Sequence, residues 1–297
     1  MDTSNKNKGD HIMEMKSFPR TEVAGVSLPR MLIGTNWMAG WSHRTPAADV
    51  MIREHHAQSA TICPMLETFV NNGIDAIMGL FCKTPAINMA ITETEQKLGK
   101  RIIKIDTPII NVEDSAAGRA EAEAMIKLSK ENGATFCLLH HSSVEQLVDK
   151  GRKKIHRLDD YTKMIRDNGM IPGLSAHMPE IIVYSDLNEY DVETYIQIYN
   201  AAGFLMQVEI ETVNQIIWNA KKPVMTIKPM AAGRLTPFVG LNFNWATLRE
   251  QDMITVGCYN EREAAEDIEI SRAALEHRAA NLAKRSSPNQ NQDAFGK

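Results

Sequence analysis

Ala134-Thr-Phe-Cys-Leu-Leu-His-His-Ser-Ser143 decides how this chain is read. An apolar run leaves Gly133 and stops abruptly in His140, His141 and two serines. A short β-rich run that ends in polar, titratable residues has the signature of a buried parallel strand at its C-terminal end. The fold then depends on how many other stretches end the same way.

Seven more strand candidates follow, all but Ile74–Leu80 carrying polar residues at or just beyond their ends: Arg30–Thr35, Ile74–Leu80, Arg101–Thr107, Ile171–His177, Thr194–Asn200, Val224–Met230 and Met253–Cys258. Asn72-Gly73, Asn132-Gly133 and Asn168-Gly169 each end a helical stretch just before one of these runs, with Gly supplying a left-handed cap. Amphipathic segments fill the gaps. Arg119–Glu131 reads as a helix, Val144–Asp167 is long enough for two, and Asn260–Ala280 begins at an Asn cap. Strands alternating with helices predict an α/β fold, a (β/α)8 TIM barrel with its chemistry at the C-terminal strand ends.

The length of 297 residues suits one such barrel, which uses about 250 residues. The expected division is a disordered segment at 1–17, a single barrel domain at 18–283 and a disordered tail at 284–297. Net charge is -4 without a basic block, which argues against a nucleic-acid partner. Lys150–Lys154 carries three basic residues, read as a solvated helix face. Cys63, Cys82, Cys137 and Cys258 form no C-x-x-C pair, so no zinc knuckle or iron–sulfur motif is present. The polar stretch Met1–Met15 lacks the core of a signal peptide, and no run is apolar enough to span a membrane. A soluble, cytoplasmic protein acting on a small molecule is the expectation.

The strand ends supply a polar ring. Asn36 and Trp37 follow strand one, Asp106 ends strand three, His140 and His141 end strand four, and Ser175 and His177 end strand five. Gln197 and Tyr199 belong to strand six, Lys228 to strand seven, and Gly257, Tyr259 and Asn260 to strand eight. Two-residue periodicity pairs Lys104 with Asp106 on one face, Ser175 with His177, and Gln197 with Tyr199. Such a mouth can move protons and hold a polar ligand. Trp37, Trp41, Asn36 and His141 are candidate substrate contacts, since aromatic loop residues over a barrel mouth stack on sugars. Trp37 and Trp41 packed on the barrel rim are the alternative reading. His55-His56 reads as a surface pair. The apolar-aromatic stretch Phe238–Trp245 either closes the pocket or forms a contact between copies in a homo-oligomer; both stay open.

The chain resembles the aldo-keto reductases, chiefly a bacterial branch. Gly173-Leu-Ser-Ala-His-Met-Pro-Glu180 is similar to that family's fifth strand, and Gln197-Ile-Tyr-Asn200 to its sixth. Met225-Thr-Ile-Lys-Pro-Met-Ala-Ala-Gly-Arg234 is similar to its M-K-P-L-A-G-G segment, and Ile254-Thr-Val-Gly-Cys-Tyr-Asn-Glu261 to its eighth strand. Phe136-Cys-Leu-Leu-His140 resembles the strand that ends in the family's active-site His. The resemblance implies an NADP or NAD site. Ser175 and Gln197 would hold the carboxamide and Tyr199 would stack on the ring. Lys228, Gly257, Tyr259, Asn260 and Arg262 would surround phosphates or ribose, and Glu266 and Asp267 would lie near the adenine.

The resemblance fails at the catalytic group. Met78 stands where the family carries its Asp, and Phe81 and Cys82 stand where its Tyr acid follows. His140 alone survives, so a reductase would need another proton donor, such as His140, His141 or His43. His140, Lys104, Asp106 and His177 are the candidate catalytic residues. The first expectation is an oxidoreductase acting with NAD(P)H on a small carbonyl or sugar-like substrate. A second is a lyase, epimerase or isomerase at the same mouth, either cofactor-free or assisted by a divalent metal on Asp106, His140 and His177. A third is a relative of the family without catalysis.

Overall fold

The computed structural model describes residues 17–282; residues 1–16 and 283–297, which hold all of the two segments read from sequence as disordered (1–17 and 284–297) except Ser17, lie outside the described residues. Eight parallel strands close into a barrel. They are β1 (Met31–Gly34), β2 (Ala76–Gly79), β3 (Ile103–Asp106), β4 (Ala134–Leu139), β5 (Ile171–Ala176), β6 (Tyr195–Ile198), β7 (Val224–Ile227) and β8 (Met253–Val256). Each lies inside the stretch that the sequence assigned to it. The (β/α)8 barrel is therefore the fold of the described chain.

Helices α1 (Pro46–His55) and α2 (Ser59–Asn71) follow β1, α3 (Pro85–Leu98) follows β2, and α4 (Ala116–Glu131) follows β3. After β4 come a short turn of helix at His141–Val144 and then α5 (Leu158–Asp167). Helices α6 (Glu180–Asn188), α7 (Ile210–Asn219), α8 (Pro237–Thr247) and α9 (Glu261–Leu275) follow the remaining strands. The segment read as two helices holds one full helix. Val148–Asp149 pairs with Lys154–Ile155 as an antiparallel hairpin, so Lys150–Lys154 is its turn and not a helix face. Gly151 and positive φ at Lys153 make that reversal, which breaks any helical run.

Two apolar layers fix which side of the barrel wall each residue faces. Leu32, Ala76, Met78, Ile105, Phe136, Leu138, Ile196, Met225 and Met253 fill the interior. Val23 and Leu28, from an antiparallel hairpin (Arg20–Val23 with Val26–Pro29), join that cluster ahead of β1. Ile33, Ile77, Cys137, Leu139, Leu174, Tyr195, Val224 and Ile254 point the other way, into the helices. Alternation along each strand then places every neighbour. Because Ile105 is inside, Lys104 and Asp106 are outside. Because Ile196 is inside, Gln197 and Tyr199 are outward-facing in the same sense.

No described helix is long and apolar enough to cross a membrane. At α9, Asn260 Oδ1 accepts from the backbone N–H groups of Arg262 and Glu263, while Glu263 Oε2 accepts from Tyr259 N–H. Reciprocal capping of this kind fixes where the helix starts beside the barrel mouth.

Candidate active site

A cavity of about 750 Å³ opens at the C-terminal ends of the strands. Its wall includes His140, His141, Ser175, His177, Lys228 and Gly257, together with Asn36, Trp37 and Trp41. The four candidate substrate contacts thus share one cavity with the histidines of β4 and β5. Gly257 lets the first loop come close, since a Cβ there would meet Trp37 Cδ1 at 3.1 Å.

The histidines are arranged, not merely gathered. His140 precedes the turn at His141–Val144, and Ser142 N–H donates to its Nδ1 at 3.3 Å, with Ser142 Oγ at 2.8 Å. A backbone N–H can only donate, so Nδ1 is the acceptor and the proton of the neutral ring belongs on Nε2. Burial, then the charges of His141, Lys228 and Lys83, push the His140 imidazole down to about 4. At neutral pH His140 is therefore an uncharged N–H donor.

His141 stacks on His177, ring centroids 3.6 Å apart and planes 16° from parallel. His140 lies 4.3 Å from His141 by the same measure. Rings this close resist a second positive charge. Burial first, then His141 and Lys228, drive His177 down to about 3. Glu145 sits beneath this stack. Its Oε1 accepts from the backbone N–H of His177 at 2.8 Å and of Met178 at 3.0 Å, and its Oε2 lies 3.7 Å from His141 Nδ1. The His141 ring is thus lowered by burial but raised by Glu145. Sequence reading passed over Glu145, although it stands four residues after His141 on one helical turn, a spacing that brings side chains together.

Lys228 follows β7 with φ +60, in the left-handed region that strains a residue bearing a side chain. Its amine has no hydrogen-bond or ion-pair partner among the described residues. Burial pushes it down to about 8. Its charge in turn depresses His43, His140, His141 and His177, which places it electrically at the centre of the group. Arg234 spans the mouth above. Its guanidinium lies 3.8 Å from the Phe204 ring, and it donates to the carbonyls of Ala231 at 3.1 Å and His43 at 3.5 Å. On the far wall Glu263, Glu266 and Asp267 face the cavity. Burial pushes the Asp267 carboxyl up to about 7, the Cys258 thiol opposing it and Glu263 and Glu266 adding to it.

Several expected residues are elsewhere. Lys104 Nζ donates to Asn132 O at 2.9 Å and Asn88 Oδ1 at 3.2 Å, in the helix layer. Asp106 is buried, and its Oδ1 accepts from the N–H groups of Thr107 and Phe81 at 2.9 and 3.2 Å. Asp106 therefore stands behind the wall from His140 and His177, and these three cannot converge on one metal. Among the described residues no group of three His, Cys, Asp or Glu side chains has metal-binding geometry. Gln197 and Tyr199 are also behind the wall. The Tyr199 hydroxyl is 3.0 Å from Thr247 Oγ1 and accepts from Asn214 Nδ2 at 2.9 Å. Tyr259 stacks on His55, centroids 4.5 Å apart, and covers His56, which is 3% exposed. The histidine pair is thus half-covered and not a simple surface feature. Arg262 and Asn260 belong to the start of α9 and do not line the cavity.

This placement tests the nicotinamide pose that the resemblance implies. Ser175, Lys228, Gly257, Glu266 and Asp267 line the cavity. Of the three residues expected at the ring, however, Gln197 and Tyr199 are 0% and 1% exposed on the outer face. The residues present do not fit a nicotinamide ring held in that way.

No protein-family model matches the chain, and no curated protein matches its sequence. Solved structures do match in fold. A Pseudomonas aeruginosa protein named as an aldo-keto reductase superposes with a TM-score of 0.61 at 14% identity, over 88% of this chain and 98% of that one. An aldo/keto reductase from Klebsiella pneumoniae, solved with NADP and acetate, gives 0.55 at 15% identity, over 89% of this chain and 92% of that one. Aldose reductase from Giardia lamblia gives 0.54 at 9% identity, covering 87% and 91%. At these identities the likeness is one of fold: the chain has the barrel that aldo-keto reductases use.

Proposed function

We propose that this chain is an enzyme that activates the carbonyl of a small, sugar-like substrate and moves a proton on the adjacent carbon, as isomerases, epimerases and lyases do. The observation that carries this reading is the pair His140 and His141 on the wall of one cavity, with the Glu145 carboxylate 3.7 Å behind His141. The Nε2–H of His140 takes the carbonyl oxygen as an uncharged donor, stabilising negative charge as it develops there. His141 is the base that accepts the proton from the α-carbon, and the Glu145 carboxylate, 3.7 Å from Nδ1, stabilises the imidazolium that results. Trp37 and Trp41 cover the apolar faces of the substrate, while Asn36 and Ser175 meet its hydroxyl groups.

A panel of hydroxy-ketones and hydroxy-aldehydes incubated with the enzyme in D2O tests this. Deuterium at the α-carbon, detected by NMR and abolished in His141→Ala, is the expected result. No exchange with any member of the panel, alongside NAD(P)H oxidation, would replace this reading with the second one.

That second reading is a nicotinamide-linked oxidoreductase of aldo-keto reductase type. Ser175 facing the cavity and the NADP-bound neighbour favour it. Quenching of Trp37 and Trp41 fluorescence on titration with NADPH and NADH is its direct test, and absence of binding at high micromolar cofactor removes it.

A further inference from the structure

We propose that Lys228 forms an imine with the carbonyl carbon of a small hydroxy-ketone or hydroxy-aldehyde bound in the barrel mouth. The inference rests on the carbonyl-substrate reading above and adds a covalent step to it.

Lysines that leave bulk water normally acquire a carboxylate partner. Lys228 lines the same cavity as Glu263, Glu266 and Asp267, yet pairs with none of them. Its backbone is held at φ +60 by a loop that continues through positive φ at Ala231, Ala232 and Gly233. Strain retained at a cavity wall marks a residue whose position matters more than its comfort. The surrounding His140, His141 and His177 carry no negative charge in either protonation state, so they neither neutralise the amine nor hold it in an ion pair. Burial is the sole cause that lowers this amine, to about 8. A group at that value is uncharged roughly one time in ten at pH 7, against roughly one in three thousand for an ordinary lysine at 10.5. Desolvation of this kind is how a lysine becomes a nucleophile toward carbonyl groups.

The step balances without any further reactant. The free Nζ pair attacks the carbonyl carbon, a C–N bond forms, and the C=O π pair moves onto oxygen under the His140 N–H. One proton passes from nitrogen to that oxygen, giving the carbinolamine. A proton from solution then lets the hydroxyl leave as water, the C–O bond breaks, and a C=N⁺ iminium remains on Lys228. The iminium is a stronger electron sink than the carbonyl, and the base His141 then works on the acidified α-carbon.

The full-length protein is incubated with dihydroxyacetone and, separately, glycolaldehyde at pH 7.5, in the presence of cyanoborohydride. Peptide mapping by mass spectrometry then locates the reduced adduct. Lys228 is expected to label at least tenfold faster than surface lysines such as Lys97 and Lys163. Labelling at that peptide should disappear in Lys228→Arg, which keeps the charge and cannot form the imine. Quenching of tryptophan fluorescence by the same two compounds is read in parallel on wild type. Binding without preferential labelling of Lys228 overturns the imine and leaves the carbonyl reading standing. Neither binding nor labelling overturns both. Because the wild-type peptide map carries the main result, a poorly folded variant does not decide the matter.

Discussion

The two faces of the barrel wall carry the same kinds of residue and use them differently. At the ends of β4, β5 and β7, His140, Ser175, His177 and Lys228 face the cavity. On β3 and β6, Lys104, Asp106, Gln197 and Tyr199 face the helix layer, where Lys104 and Tyr199 bond to residues of neighbouring helices, Asp106 to loop N–H groups and Gln197 to its own strand. The inner set is short of partners, with Lys228 unpaired and His140 bonded through one ring nitrogen only. Most of the outer set is bonded to backbone or to neighbouring helices. Polar groups that spend their hydrogen bonds on the fold are tied to structure; those that keep them free are available to a ligand.

The largest effect that would break this comparison is on catalysis. His140→Ala should lower α-proton exchange by about 10²–10⁴, the usual worth of a positioned acid–base group. Unchanged exchange would remove His140 from the chemistry. The pH dependence sharpens its role. Since the folded imidazole titrates near 4, below its ordinary 6.5, the uncharged donor is present from pH 8 down to about 5. Dependence on this group should therefore be flat across that range and fall as pH drops through 4. Activity that rises below pH 6.5 would mean that the imidazolium is the working form.

Smaller effects are expected on the outer face, and in stability instead of catalysis. Asp106→Ala removes the acceptor of two backbone N–H groups and should cost about 1–3 kcal/mol by urea denaturation. Exchange per folded molecule should not change. Tyr199→Phe loses the hydroxyl that joins Asn214 and Thr247 and should cost about 1 kcal/mol, again without effect on the mouth. A loss of ligand binding in either variant would contradict the division between the two faces.

The fold was legible because each strand is a short apolar run, three of them introduced by a helix-ending glycine, and all eight assignments lie where the structure places strands. The site was legible only in part. Period-two alternation correctly coupled Lys104 to Asp106 and Gln197 to Tyr199, but alternation alone does not say which face looks inward. In both strands the polar residues lie on the helix side and the apolar ones inside the barrel, so polarity does not mark the cavity face. The interior neighbours Ile105 and Ile196 decide it, and their role is visible only once the barrel closes. Glu145 was missed for another reason. Its importance lies in reaching the N–H groups of His177 and Met178 across the mouth, a contact distant in sequence. Tyr259 against His55 and His56 is a long-range contact of the same kind.

The most direct measurement is α-carbon deuterium exchange of one hydroxy-ketone, run side by side on wild type, His141→Ala and Tyr199→Phe. Rapid exchange in wild type and Tyr199→Phe, with none in His141→Ala, is the predicted result. Exchange that survives in His141→Ala and fails in Tyr199→Phe would place the chemistry on the other face of the wall and contradict the account.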